Sequence, residues 1–210
     1  DVYKRQSQGR VLNHNSIKLS ENANEISKKF SINRKLSEAI VRESDIIFGG
    51  VSGFVITSSN NIMAPNAGID KSNSQGKLIL YPNDPYLIAE QIKRKFFLDY
   101  SLHVGIIIVD SRLMPARIGT SGVAIACSGI EPVSDRRATK DLDGNVLKVT
   151  FQAVADNLAS IANHKMGEAD ELLPIAIIRK SGAKLTDRKI SSEETAIPYD
   201  ECVYVRGLKK

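Results

Sequence analysis

The chain has 210 residues, of which 42% are hydrophobic and 25% charged, with a formal net charge of +5. That length allows one large domain or two small ones around a sizeable core. No apolar run approaches the roughly 18 residues a bilayer span requires, the opening residues carry no signal-peptide pattern, and two distant cysteines exclude a disulfide framework.

Cys127 and Cys202 form no CxxC pair, which fits a reducing cytoplasm, and Cys127 reads as a small core residue of an apolar strand. Aromatic residues make up 6% and are scattered, which argues against a base-stacking surface. The mild positive charge suits anionic small molecules. Nucleic acid has no support beyond charge, and neither nucleic acid nor membrane is expected as a partner.

Residues 1–6, "DVYKRQ", bear no clear relation to the segment after them and read as a foreign segment. The stretch from Leu19 to Phe48 reads as two helices. Ser20 caps the first, with Ala23, Ile26 and Phe30 on one face, and Asn33 caps the second, with Leu36, Ile40 and Val41 on one face. "GFVITSS" (53–59) and "GKLILY" (76–81) read as strands. Asp84-Pro85 opens a helix, the aspartate supplying the cap and the proline suiting the first helical position. Along it Ile88, Ile92 and Phe96 share a face, while Glu90, Lys93 and Arg94 face water.

"VGIIIVD" (104–110) is continuously apolar, reads as a strand buried on both faces, and is expected to stop at Asp110. "GVAIACSG" (122–129) is a second buried strand. "DLDGNVLKVTF" reads as a hairpin turning at Asp143-Gly144 or Gly144-Asn145. A helix follows from about Phe151 to Lys165, then "PIAIIRK" as a last buried strand, then a polar tail ending in the β-like "CVYVRG". Strands and helices mix without a βαβ rhythm, so the expected class is α+β, with mixed sheets and packed helices.

Three acids stand at junctions between regular elements: Asp70 in "NAGIDKSN", Asp110 and Glu168. A carboxylate at the end of a buried strand is held rigidly while the loop beyond leaves room for substrate. Hard divalent cations take such oxygen ligands, and Ser111 can add a hydroxyl. The plain alternative is a turn-forming aspartate and a solvated glutamate. "RIGTSGVA" offers glycine-flanked hydroxyls that can form an anion nest beside Arg117, although neither a Walker loop nor GxGxxG is present. Arg112, Arg136 and Arg137 can clamp phosphate or carboxylate, or simply sit in surface loops. His14, His103 and His164 fall in no metal pattern, and GxSxG is absent.

Taken in order, "NAGIDKSN", "VGIIIVDS", "RIGTSGVAIACSG", "KDLDGNVL", "AVADNLA" and "MGEADE…PIAIIR" resemble the coenzyme F-420-0:L-glutamate ligase (γ-glutamyl ligase) family, with an archaeal flavour. The resemblance runs from Gln8 to about Arg179. It implies a γ-glutamyl ligase-like α+β fold of two intertwined subdomains, a homodimer, GTP as co-substrate, and Mn²⁺ or Mg²⁺, with K⁺ as a further ion. The implied reaction joins L-glutamate to coenzyme F-420-0 through an acyl phosphate, with a second, γ-linked glutamate in many members. The alternative is a relative that binds nucleotide or deazaflavin without ligating.

By the same resemblance Asp70, Asp110, Ser111 and Glu168 are metal ligands. Asn73 and the loop Met166, Gly167, Glu168, Ala169, Asp170, Glu171, Leu172 and Leu173 contact GTP. Arg112 and Arg117 meet substrate or phosphate. The sequence departs from the family at Leu113-Met114 and at Ala138, where relatives carry Gly-Arg and glycine. Residues 7–210 read as one ligase-family unit without the family's N-terminal nucleotide-binding segment, and Gln6 stands where a family lysine is expected. A chain so shortened is expected to bind GTP weakly and to be inactive by itself.

Overall fold

The computed structural model describes residues 2–4, 9–12, 18–72 and 74–208. The strands in chain order are β1 Val2–Lys4, β2 Arg10–Leu12, β3 Ile46–Val51, β4 Phe54–Ser59, β5 Ile62–Pro65, β6 Leu78–Leu80, β7 Ile106–Leu113, β8 Thr120–Ser128, β9 Val133–Asp135, β10 Phe151–Ala153 and β11 Ile175–Ala176. The helices are α1 Glu21–Phe30, α2 Arg34–Glu43, α3 Pro85–Tyr100, α4 Val154–Met166 and α5 Val203–Gly207. This is the expected α+β class. Among the described residues no helix is long and apolar enough to cross a membrane.

The helix starts follow their caps. Ser20 Oγ accepts from Ala23 N at 3.2 Å, Asn33 Oδ1 accepts from Lys35 N at 3.0 Å, and Asp84 Oδ1 accepts from Leu87 N at 2.9 Å ahead of Pro85. Each side-chain oxygen satisfies a backbone N–H that the helix cannot. Around α1 and α2 a first core gathers Phe30, Leu36, Ala39, Ile40, Val55, Leu78 and Leu80.

Inside that core edge Glu38 is only 4% exposed. It accepts from Ser20 N and Ser20 Oγ, each at 2.7 Å, and from Arg42 Nε at 2.7 Å. The Ser20 donors, reinforced by Arg42, hold its carboxyl below the usual 4.5. A depressed folded value stabilises the fold above the unfolded value and is lost as pH falls through the folded one. Glu38→Gln is therefore expected to cost about 1–3 kcal/mol at pH 7. The deficit should shrink below about pH 4, as read from urea midpoints at the two pH values. An equal deficit at both would disprove the charge-based account.

The central sheet has the order β11-β1-β7-β8, with β1 parallel to β7 and the other pairs antiparallel. Helix α3 covers one face through Ala89, with Ile106, Ile108, Ile125 and Tyr81 beneath it. Helix α4 covers the other through Ala155, Ala159, Ala162 and Met166 on Ile107, Val109 and Cys127. Strand β7 is thus buried on both faces, as its unbroken apolar run required. Cys127 is 1% exposed and burial pushes its thiol up to about 12. The β1 pairing uses backbone groups that any non-proline extended segment supplies. Of the hexapeptide expected to be foreign, residues 1, 5 and 6 lie outside the described residues, as does His14.

Several expectations are corrected. Residues 46–48 belong to β3, not to a second helix, because the helix stops at Glu43 and the chain turns extended at Ser44. Strand β7 continues past Asp110 to Leu113, since β8 supplies partners as far as Thr120. Of the three α3 side chains expected to face water, Lys93 is withdrawn, 15% exposed and paired at 3.1 Å with Glu90, which accepts from Ser128 Oγ yet keeps its side chain 45% exposed. "PIAIIRK" forms only the two-residue β11, with Ile177 65% exposed, because among the described residues β11 pairs with β1 alone at the sheet edge. "CVYVRG" is helical, as α5. The "DLDGNVLKVTF" hairpin exists, its arms joined by the Lys140–Val146 bridge and by bonds such as Asp141 N to Asn145 O at 2.9 Å, while the regular ladder lies between β9 and β10.

The polar tail straps both cores. Ile190 is buried beside α4, Arg188 pairs with Glu131 and Glu194, and Tyr199 packs edge-on to Phe48 at 5.1 Å. The three-stranded sheet β3-β4-β5 leaves Ile46, Phe48, Val51, Phe54 and Ile56 exposed.

Candidate active site

An open cleft of about 260 Å³ lies where β5, β7 and the end of α4 meet. Asp70, Asp110, Ser111 and Glu168, far apart in sequence, all line it, with Arg112, Thr120, Asn163 and Ala169.

Asp70 is held by a turn, and the turn is strained. Asn66, Ala67 and Gly68 all take left-handed backbone, with φ of 51°, 55° and 64°. Left-handed backbone at a non-glycine costs roughly 1–2 kcal/mol per residue, so the surroundings must enforce it. They do so by hydrogen bonds. Asn66 Oδ1 accepts from Val55 N at 3.0 Å, and Ala67 N donates to Thr57 Oγ1 at 2.9 Å. Gly68 is required for a second reason: a Cβ there would fall 2.2 Å from the Tyr81 ring. Beyond the turn, Asp70 and Ile79 exchange both backbone hydrogen bonds at 2.9 Å, and Asp70 Oδ1 accepts from Ser72 N at 2.8 Å.

Asp110 is 9% exposed, and its Oδ2 accepts from the Tyr81 hydroxyl at 2.7 Å. Tyr81 therefore touches both aspartate segments, through its ring at Gly68 and its hydroxyl at Asp110. Glu168 Oε1 accepts from Asn163 Nδ2 at 2.5 Å and from Thr120 Oγ1 at 3.2 Å. Asn163 reaches it because α4 lies almost on the backbone of β8 at Gly122. There Ser160 Oγ donates to Gly122 O at 2.8 Å and meets Ser121 Oγ at 3.0 Å.

The remaining expected residues are less concentrated. Met166 is 2% exposed and packs in the core under α4, whereas Leu172 is 90% exposed. Glu171 Oε2 accepts from Ala169 N at 2.8 Å, closing the loop on itself. Glu168 and Ala169 line the cleft, whereas Gly167, Asp170, Glu171, Leu172 and Leu173 do not. Asn73 lies outside the described residues. Arg117 is exposed and not a lining residue, and Arg137 is held by Asp135 at 2.6 Å. Tyr81, Asn163 and Thr120 were not singled out from the sequence. Of these only Asn163 carried a local signal, one helical turn before the "MGE" bend.

The cleft's charge is unbalanced. Three carboxylates face one guanidinium, Arg112, among its described lining residues. No three His, Cys, Asp or Glu side chains among the described residues come close enough to hold a metal by themselves. The donors are all oxygens, and Asn163 Oδ1 is buried without a hydrogen-bond partner. Such a set fits hard divalent cations that draw part of their coordination from substrate oxygens and water. It does not fit a closed protein cage.

A second pocket of about 110 Å³ lies beside β8, the edge strand of the central sheet. The β7–β8 ladder shifts register between Ile108 and Val109, which leaves Ile125 as the extra residue of a bulge. Asp156, in the first turn of α4, accepts from Ala124 N at 3.0 Å beside that bulge. Burial raises its carboxyl pKa, against the Ala124 hydrogen bond and the more distant charge of Arg112.

Comparison with known proteins places these features in company. The family model described as F420-0:Gamma-glutamyl ligase matches residues 5–180. The chain is 36% identical over 198 residues to the Coenzyme F420:L-glutamate ligase of Methanocaldococcus jannaschii, covering 94% of this chain and 79% of that protein. It is 35% identical over 175 residues to the protein of the same name from Methanopyrus kandleri, covering 82% and 69%. With that of Archaeoglobus fulgidus the identity is 33% over 205 residues, covering 97% and 81%.

Proposed function

The chain belongs to the F420-0:Gamma-glutamyl ligase family, and from that premise we propose that it adds L-glutamate to coenzyme F-420-0 at the expense of GTP. The observation that carries this reading is the convergence of Asp70, Asp110 and Glu168 on one cleft that also holds Arg112. Three carboxylates by themselves would repel a nucleotide triphosphate and a carboxylate substrate. Divalent cations reverse that sign, so an acid-rich cleft suits a substrate that arrives with metal.

A carboxylate is a poor electrophile, and activation by phosphoryl transfer overcomes this. A carboxylate oxygen of the precursor attacks the γ-phosphorus, GDP leaves, and the glutamate amine then displaces phosphate from the acyl carbon with loss of a proton. Transfer of this kind needs positioning and charge neutralisation more than covalent help from the protein. Asp70, Asp110, Ser111 and Glu168 would hold Mn²⁺ or Mg²⁺, whose contribution when bound is to neutralise phosphate charge. The Tyr81 hydroxyl fixes the Asp110 carboxylate, and Asn163 with Thr120 fixes that of Glu168, so neither must reorganise when substrate enters. The loop from Gly167 to Leu173 and Asn73 would border the nucleotide. The exposed apolar face of β3 and β4 would serve a homodimer, testable by sedimentation.

The test uses the protein expressed from its complete reading frame, with coenzyme F-420-0, L-glutamate, GTP and Mn²⁺. GDP, phosphate and a glutamylated product should appear in equal amounts. GTP binding without product would instead identify a non-catalytic relative, and absence of both GDP and product would reject the ligase reading.

A further inference from the structure

Two arginines in this protein hold a carboxylate by the same edge. Arg137 places Nε and Nη2 on Asp135, with Nη2 at 2.6 Å, and Arg188 places Nε and Nη2 on Glu131, with Nη2 at 2.5 Å. That edge presents two parallel N–H bonds to the two oxygens of a carboxylate. In Arg112 the same two atoms, Nε and Nη2, are shut off from solvent and have no acceptor among the described residues. Donor atoms shut off without an acceptor are costly, and a carboxylate, with two oxygens side by side, can satisfy both atoms of this edge at once.

Arg112 also borders two spaces at once, the acid-lined cleft and the small pocket beside β8. In the small pocket the other charged group among the described lining residues is Asp156, which feels the charge of Arg112 without being within ion-pair distance of it. Around them stand neutral polar groups: the Tyr86 and Thr195 hydroxyls, 3.2 Å apart, with Ser192 and Asn61. A cation and an anion that border one small space beyond ion-pair distance are complementary to a zwitterion. An α-amino acid carries its carboxylate and ammonium on one carbon, so it can satisfy both.

We infer that Arg112 and Asp156 form the subsite for the incoming amino acid, Arg112 taking its carboxylate and Asp156 its ammonium group. Rotation of the guanidinium toward the small pocket presents the unpaired edge to the carboxylate. The placement also suits the reaction: because Arg112 borders both spaces, an amino acid held there lies next to the cleft. The neutral hydroxyls and amide remain for the side chain. This assignment rests on the ligase reading for the identity of the amino acid, L-glutamate, and Arg112 and Asp156 bind that substrate directly.

The test compares the parent protein with Arg112→Gln, Arg112→Lys and Asp156→Asn. Steady-state ligation is read against L-glutamate and GTP separately, with glutarate, which lacks the amine, as competitor. Arg112→Gln should raise the KM for L-glutamate and the inhibition constant of glutarate at least tenfold, roughly the loss of a charge-assisted pair, with the KM for GTP within about twofold. Arg112→Lys, which keeps the charge but not the fork, should recover part of the loss. Asp156→Asn keeps an acceptor for Ala124 N and should raise the KM for L-glutamate while leaving glutarate unaffected. An unmoved L-glutamate KM in folded Arg112→Gln, or a rise in the KM for GTP of equal size, would overturn the assignment. So would Asp156→Asn weakening glutarate as much as L-glutamate. Equilibrium binding of labelled L-glutamate separates the two readings. Arg112-dependent binding by a parent protein that forms no product would reject ligation and keep the subsite.

Discussion

Asp110→Asn is expected to lower turnover by at least about a hundredfold, the upper end of what loss of a metal's outer-shell partners costs, while the fold survives. The substitution is nearly isosteric, and the amide oxygen can still accept from the Tyr81 hydroxyl that now lies 2.7 Å from Oδ2. What disappears is the negative charge at the most buried of the three cleft carboxylates, 9% exposed at the boundary between the apolar core of β7 and the cleft. Tyr81→Phe is the milder companion, expected to cost about tenfold. It leaves the charge but removes the hydroxyl that donates to Oδ2. Turnover numbers with saturating Mn²⁺, together with thermal midpoints, separate the two effects. Turnover of Asp110→Asn within twofold of the parent at an unchanged midpoint would remove Asp110 from the site.

Gly122→Ala should damage stability and activity together. A Cβ built on Gly122 falls 2.4 Å from Ala159 O and 2.6 Å from Asn163 Cβ. Ala159 O is helix backbone and cannot swing aside, so α4 must lift from β8 or the edge strand must bend. Overpacking of this kind costs about 1–3 kcal/mol, and each kcal/mol lowers the melting midpoint by roughly 2–4 °C at this size. The activity loss should exceed the stability loss, because the displaced helix carries Asn163, which holds Glu168 at 2.5 Å. Ser160→Ala is the control. It removes the hydroxyl bond to Gly122 O without pushing the elements apart, and should cost only about 1 kcal/mol. An unchanged midpoint for Gly122→Ala would show that the packing at β8 is looser than the 2.4 Å approach implies.

The legible parts of the fold were those set by neighbours in sequence. Ser20, Asn33 and Asp84-Pro85 announced three helices, because a cap acts within three residues of itself. The apolar run before Asp110 announced a strand buried on both sides, and α3 and α4 do cover its two faces. Misreadings arose where a remote partner decides. "PIAIIRK" carries an apolar run, "IAII", as "VGIIIVD" does, yet among the described residues it pairs with β1 alone and stays largely exposed. "CVYVRG" has β-favouring residues, but among the described residues no strand pairs with it, and it closes into a short helix instead. Strand β7 passes Asp110 because β8 extends alongside it, which nothing in the local composition signals.

The sequence by itself determined the order of the motifs, hence the family, and it singled out Asp70, Asp110, Ser111 and Glu168 by residue type at element junctions. Only the tertiary structure brought those four to one cleft, since register and helix docking, rather than spacing, set distances between segments as remote as 70 and 168. The left-handed run at Asn66–Gly68 likewise depends on Thr57 and Val55 across the sheet. The unpaired edge of Arg112 is the clearest such case. In sequence it was one arginine among several, and only the positions of the acceptors among the described residues show that Arg137 and Arg188 are already paired and that this edge of Arg112 is not.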